Sequence, residues 1–132
     1  MLFEKETHMT TWITICDTCK RDDWHHGDIT HTDGELLASK VEAELSKYPS
    51  IKVRRHSCLM GCSHSCNIAI QAEHKTCYTL GNFVASEKDA KAILEYAELH
   101  SDSEKGVVPY REWPTDIKGH FITRHPPIPK IT

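Results

Sequence analysis

Six cysteines in a chain of 132 residues constrain this sequence more than any other feature. Cys16-Asp-Thr-Cys19 lies near the start, and Cys58-Leu-Met-Gly-Cys62-Ser-His-Ser-Cys66 follows on a separate stretch of chain. A metal held from distant parts of a chain needs ligands on loops that converge, and thiolates suit zinc and iron–sulfur clusters. A metal centre is therefore the leading functional expectation. The competing reading, a disulfide framework, requires an oxidising compartment. Met1-Leu-Phe-Glu-Lys-Glu6 carries acids early and lacks an apolar signal stretch, so a cytoplasmic location with reduced thiols is expected.

Other partner classes are excluded on composition. A net charge of −3 leaves no basic footprint for nucleic acid. No run approaches the roughly 18 apolar residues that span a bilayer, so no membrane partner is expected. The length fits one domain with one core.

Thr11-Trp-Ile-Thr-Ile-Cys16 alternates and is β-branched, which predicts a strand that delivers Cys16 at its end. Cys19 to Asp33 reads as a long polar loop, and loops of that length in compact domains are usually functional. From Gly34 to Lys47 the spacing of Leu37, Val41, Leu45 and Tyr48 predicts a helix. Thr32 or Asp33 can cap it, and Pro49 ends it. Ile51-Lys-Val-Arg-Arg-His56 reads as a second strand that runs into Cys58. If strand, helix and strand form a parallel crossover, both cysteine loops fall at the same end of the sheet.

Cys66-Asn-Ile-Ala-Ile-Gln71 and Thr76-Cys-Tyr-Thr-Leu-Gly81 read as a hairpin around Ala72-Glu-His-Lys75, a turn without glycine. Ser86 with Asp89 resembles a capping box, followed by the apolar helix face Ala90, Ile93, Leu94 and Ala97. Residues 1–10 are expected to be an N-terminal extension, 11–99 the domain, and 100–132 an irregular extension with Pro109, Pro114, Pro126, Pro127 and Pro129. The order β-α-β-β-β-α is the thioredoxin-like α/β plan.

At these residues the chain resembles the thioredoxin-like [2Fe-2S] ferredoxins and the related small subunit of respiratory NADH dehydrogenase. In that group two cysteines follow the first strand and a C-x3-C pair follows the second. Cys58-Leu-Met-Gly-Cys62 matches the latter, glycine included, and Asn67-Ile-Ala-Ile with Tyr78-Thr-Leu-Gly81 matches the hairpin. The chain is also similar to a bacterial family described as predicted metal-binding proteins, which has C-x2-C with C-x3-C-x3-C. That likeness extends to Arg111-Glu-Trp-Pro114 and Arg124-His-Pro-Pro127, and it brings a link to cobalt and cobalamin metabolism.

The resemblance implies an electron carrier rather than an enzyme, with a [2Fe-2S] cluster on Cys16, Cys19, Cys58 and Cys62. It also implies a redox partner protein and a homodimer, for which Tyr110, Trp113 and Phe121 supply interface-type residues; a monomer whose tail folds over its own core is the alternative. Two departures stand out: Cys16 and Cys19 lie closer together than in the ferredoxins, and Cys66 stands where they carry a non-ligand. Cys66 is thus the alternative fourth ligand.

Two other functional classes remain. Zinc on the same thiolates, with His64 able to replace one, gives a structural or interaction module. A dithiol oxidoreductase built on Cys16 and Cys19 is the enzymatic reading; it leaves the Cys58 cluster unexplained, and no helix starts directly after the motif. Arg54, Arg55 and Lys20 flank the loops as charges that can tune a cluster or stay solvated. Cys77 reads as a small apolar strand residue. His25, His26 and His31 with Asp22, Asp23 and Asp28 form a candidate second, weaker metal site or a solvated loop.

Overall fold

The structure, a computed structural model, describes residues 10–24 and 30–129. Strand β1 (Thr11–Cys16) is followed by helix α1 (Asp33–Glu44), strand β2 (Ile51–His56), strands β3 (Ile68–Gln71) and β4 (Cys77–Leu80), helix α2 (Glu87–Asp102) and strand β5 (Phe121–His125). The five strands form one mixed sheet in the order β2-β1-β3-β4-β5. β1 and β2 are parallel, in register from Thr11 opposite Ile51 to Cys16 opposite His56. Each of the other pairs is antiparallel. A mixed α/β domain was legible in the element order; β5 was not.

The two helices pack against each other and both rest on β1. Ile13, Ile15, Ile68, Ile70 and Leu80 point from the sheet into that layer, where Leu37, Val41, Ile93, Leu94 and Ala97 meet them. The helix starts follow from capping chemistry. At α1 the Thr32 hydroxyl accepts from the Glu35 N–H at 3.0 Å, and the Glu35 carboxylate accepts from the Thr32 N–H at 2.8 Å, a reciprocal box. At α2 the Ser86 hydroxyl accepts from the Asp89 N–H, but the Asp89 carboxylate turns to the Val84 N–H instead. The predicted box is therefore half formed. α1 gives way to a 3-10 turn at Leu45–Lys47, ahead of Pro49.

His74, with φ of 62°, supplies the left-handed residue that the glycine-free hairpin turn requires. The Lys75 ammonium, almost wholly buried, donates to the carbonyls of His100 and Ser101 and caps the end of α2.

The C-terminal stretch corrects the reading of an irregular extension. α2 runs past residue 100 to Asp102, and Phe121–His125 joins β4 as an edge strand with a bulge at Thr79/Leu80. The missed signal was Phe121-Ile-Thr123, β-branched and aromatic, bounded by Gly119 and Pro126. Trp113 stacks on Phe121 at 4.4 Å between centroids, and both rings meet Tyr96 edge-on at 6.1 and 5.1 Å. Trp113 and Phe121 thus close the chain's own core, while Tyr110 stays exposed. Among the described residues no helix is long and apolar enough to cross a membrane.

Candidate metal centre at the sheet edge

Parallel pairing of β1 and β2 ends both strands at one edge of the sheet, and β3 starts there. Cys16 is the last residue of β1; its N–H donates to the Asn67 carbonyl at 3.2 Å, just ahead of β3. The next amide, Asp17 N–H, bonds to His56 at the end of β2. The turn that carries Cys19 is fastened from the other side by α1. The Gly34 N–H donates to the Cys19 carbonyl at 3.0 Å, the Thr32 hydroxyl donates to the Asp17 carbonyl, and Asp33 accepts from the Arg21 N–H at 2.6 Å. A Cβ on Gly34 would lie 2.0 Å from the Cys16 carbonyl oxygen, so only glycine lets the helix approach. α1 starts far along the chain yet meets the cysteine turn in space, through backbone carbonyls.

Three thiols converge there. Cys16, Cys19 and Cys66 are 2 %, 3 % and 0 % exposed. Burial opposes ionisation of Cys16, but hydrogen bonds from the Cys19 and Thr18 side chains and from the amides of Leu59 and Thr18 outweigh it. The Cys16 thiol therefore lies below its ordinary pKa. Cys19 is pushed up to about 12 by burial and by its role as donor to Cys16, although it accepts from the Asn67 N–H. Cys66 is also pushed up to about 12, by burial and by the nearby Cys19 and Asp33, with Arg21 opposing.

The Leu59 amide places the Cys58–Cys62 loop directly over Cys16. That loop is unusual backbone: Cys58 and Met60 have φ of 69° and 63°, left-handed values that cost non-glycine residues energy and cluster at functional sites. Cys58 and Cys62 are exposed, and the Cys58 thiol lies 3.8 Å from the Met60 sulfur. Met60 itself is 88 % exposed. Among the described residues no three His, Cys, Asp or Glu side chains make a preassembled metal-ligand group. The structure places buried Cys16, Cys19 and Cys66 near one another, short of a ready ligand set, and leaves Cys58 and Cys62 exposed.

The remaining candidates fall as follows. His64 lies in the 3-10 turn Cys62–His64, its Cβ close against Gly81. Arg55 is paired with Glu42 at 2.8 Å and Arg54 donates to Thr14 and Gln71, so both serve the sheet and α1. Lys20 sits over the Trp24 ring. Cys77 opens β4, half-buried, its thiol aimed at the Ala72 and Lys75 carbonyls of the hairpin turn. His25, His26 and Asp28, central to the second candidate site, lie outside the described residues. Asp22 and Asp23 instead line a polar cavity of about 350 Å³ with Arg21, Cys62, Ser63, Ser65 and Asn82.

Two residues at the site were not read as site residues from the sequence. Arg21 donates from Nη1 to the Ser65 and Phe83 carbonyls at 3.2 and 2.9 Å, beside Cys66. Phe83 is held by the stacked His120 ring, 4.2 Å away. Asn67, fully buried, lies beneath Gly61: a Cβ there would fall 2.3 Å from Asn67 Nδ2. The sequence signal for Asn67 was a polar residue between Cys66 and the apolar run Ile68-Ala-Ile70.

No curated protein and no solved structure matches the chain. A family model does match, over residues 13–127, a span that takes in all the cysteines and β5. The chain belongs to the family described as protein of unknown function, DUF1636.

Proposed function

We propose that this chain is a thioredoxin-like one-electron carrier whose thiolates at one sheet edge hold a [2Fe-2S] cluster. The observation that carries the reading is the convergence of buried Cys16, Cys19 and Cys66 under the Cys58–Cys62 loop. The order β2-β1-β3-β4, with both helices packed together on β1, suits a thioredoxin-like domain. The donor set fits the group, since cysteine thiolate is its usual ligand. The glycine cradle over an orphaned buried amide fits as well.

Cys16, Cys19 and Cys66 supply the inner ligands in this reading, and Cys58 or Cys62 the fourth. A [2Fe-2S] cluster, when bound, takes up and returns one electron. The amides of Thr18, Leu59 and Asn67 offset thiolate charge, and Arg21 adds a fixed cation beside Cys66. Phe83 and Ile68 belong to the same buried cluster as Cys16, Cys19 and Cys66. Exposed Met60 and Val84 are apolar and suit a redox partner protein.

A second reading has its own support: the low thiol of Cys16 beside the high thiol of Cys19 is the asymmetry a dithiol oxidoreductase uses. Single cysteine-to-alanine variants separate the two. The cluster reading expects Cys16→Ala, Cys19→Ala and Cys66→Ala each to abolish the visible iron–sulfur spectrum, and Cys77→Ala to keep it. A colourless wild type with disulfide reductase activity lost in Cys16→Ala would establish the dithiol reading instead.

A further inference from the structure

Asn67 has no exposed surface, and neither its Nδ2 nor its Oδ1 has a hydrogen-bond partner among the described residues. Burying an amide in that way is costly, and folded proteins seldom leave one so without a reason. The residue's backbone is fully engaged at the thiols: its N–H serves Cys19 and its carbonyl accepts from the Cys16 N–H at 3.2 Å. Its carboxamide lies under the C-x3-C loop, where Gly61 has no side chain to displace it.

We infer that Asn67 is a positioning residue whose Nδ2–H donates to a sulfur of the metal–thiolate group when that group is bound. The inference rests on the thiolate centre proposed above but not on which metal fills it. An empty site leaves the amide orphaned, and a filled one gives it an acceptor. Hydrogen bonds to charged acceptors are the stronger kind, so the side chain favours the loaded state twice over. Gly61 is then glycine because any Cβ would take the space of this donor.

Leucine at position 67 keeps the branched shape of asparagine and removes its donor. Reduced, anaerobic apo-protein titrated with Co(II) alone reads affinity through the sulfur-to-cobalt charge-transfer band. Asn67→Leu should bind Co(II) about tenfold less tightly than the wild type, while apo Asn67→Leu unfolds no earlier than the apo wild type. Equal Co(II) affinity in the two proteins, both tight, would overturn the role of Asn67 alone. Wild-type protein gives a second readout: the Asn67 side-chain amide proton resonances should move on addition of Cd(II), and unmoved resonances in a Cd(II)-loaded sample overturn the inference. Wild-type protein that binds neither ion overturns the thiolate centre itself.

Discussion

His100 joins three parts of the chain: its Nδ1 bonds to the Thr11 hydroxyl at 2.8 Å and its Nε2 to the Thr76 carbonyl at 2.7 Å, from within α2. Burial, with Lys75 nearby, holds its pKa down at about 4 against an ordinary 6.5. A depressed imidazole stabilises the fold fully above about pH 6.5 and loses that contribution as pH falls towards 4, because the unfolded chain takes up the proton first. The gap corresponds to about 3 kcal/mol. Urea unfolding at pH 7 and pH 4.5 should show most of that loss in the wild type and a flatter profile in His100→Gln. In the Cys58–Cys62 loop, Gly61→Ala sets a methyl 2.3 Å from Asn67 Nδ2. The variant should lose about 1–3 kcal/mol of stability by overpacking, and its metal content after purification should fall well below that of the wild type.

The elements explain which features could be read in advance. Local chemistry was legible in part: Thr32 or Asp33 could cap α1, and the structure uses Thr32 with Glu35 as a box partner that the sequence reading had not named; loss of such a cap costs about 1 kcal/mol. Thr32→Ala should show that loss in denaturant unfolding, and Thr32→Ser should restore most of it. The meeting of the two cysteine loops was also legible, since parallel β1 and β2 bring both strand ends to one edge. Arg21 was not, because its role depends on carbonyls 44 and 62 residues away in the chain. Nor was the burial of Cys66 against the rim position of Cys58 and Cys62, which spacing alone treats alike. Strand β5 was hidden by proline density on either side of a short apolar run.

At the scale of the whole molecule, β5 and the turns before it complete the core from outside the minimal β-α-β-β-β-α unit. Phe121 touches Tyr78, Tyr96 and Trp113, so Phe121→Ala should cost about 2 kcal/mol, read as a lower urea midpoint with an unchanged slope. The same segment supports the site, since His120 stacks on Phe83, whose carbonyl accepts from Arg21 and from the Cys66 N–H. The C-terminal segment therefore bears on the cysteine site as well as on the core. Metal and acid-labile sulfide analysis of anaerobically purified protein separates a cluster from its rivals. A [2Fe-2S] centre gives brown protein with iron and sulfide in equal amounts; stoichiometric zinc without sulfide, or no bound metal at all, rules it out.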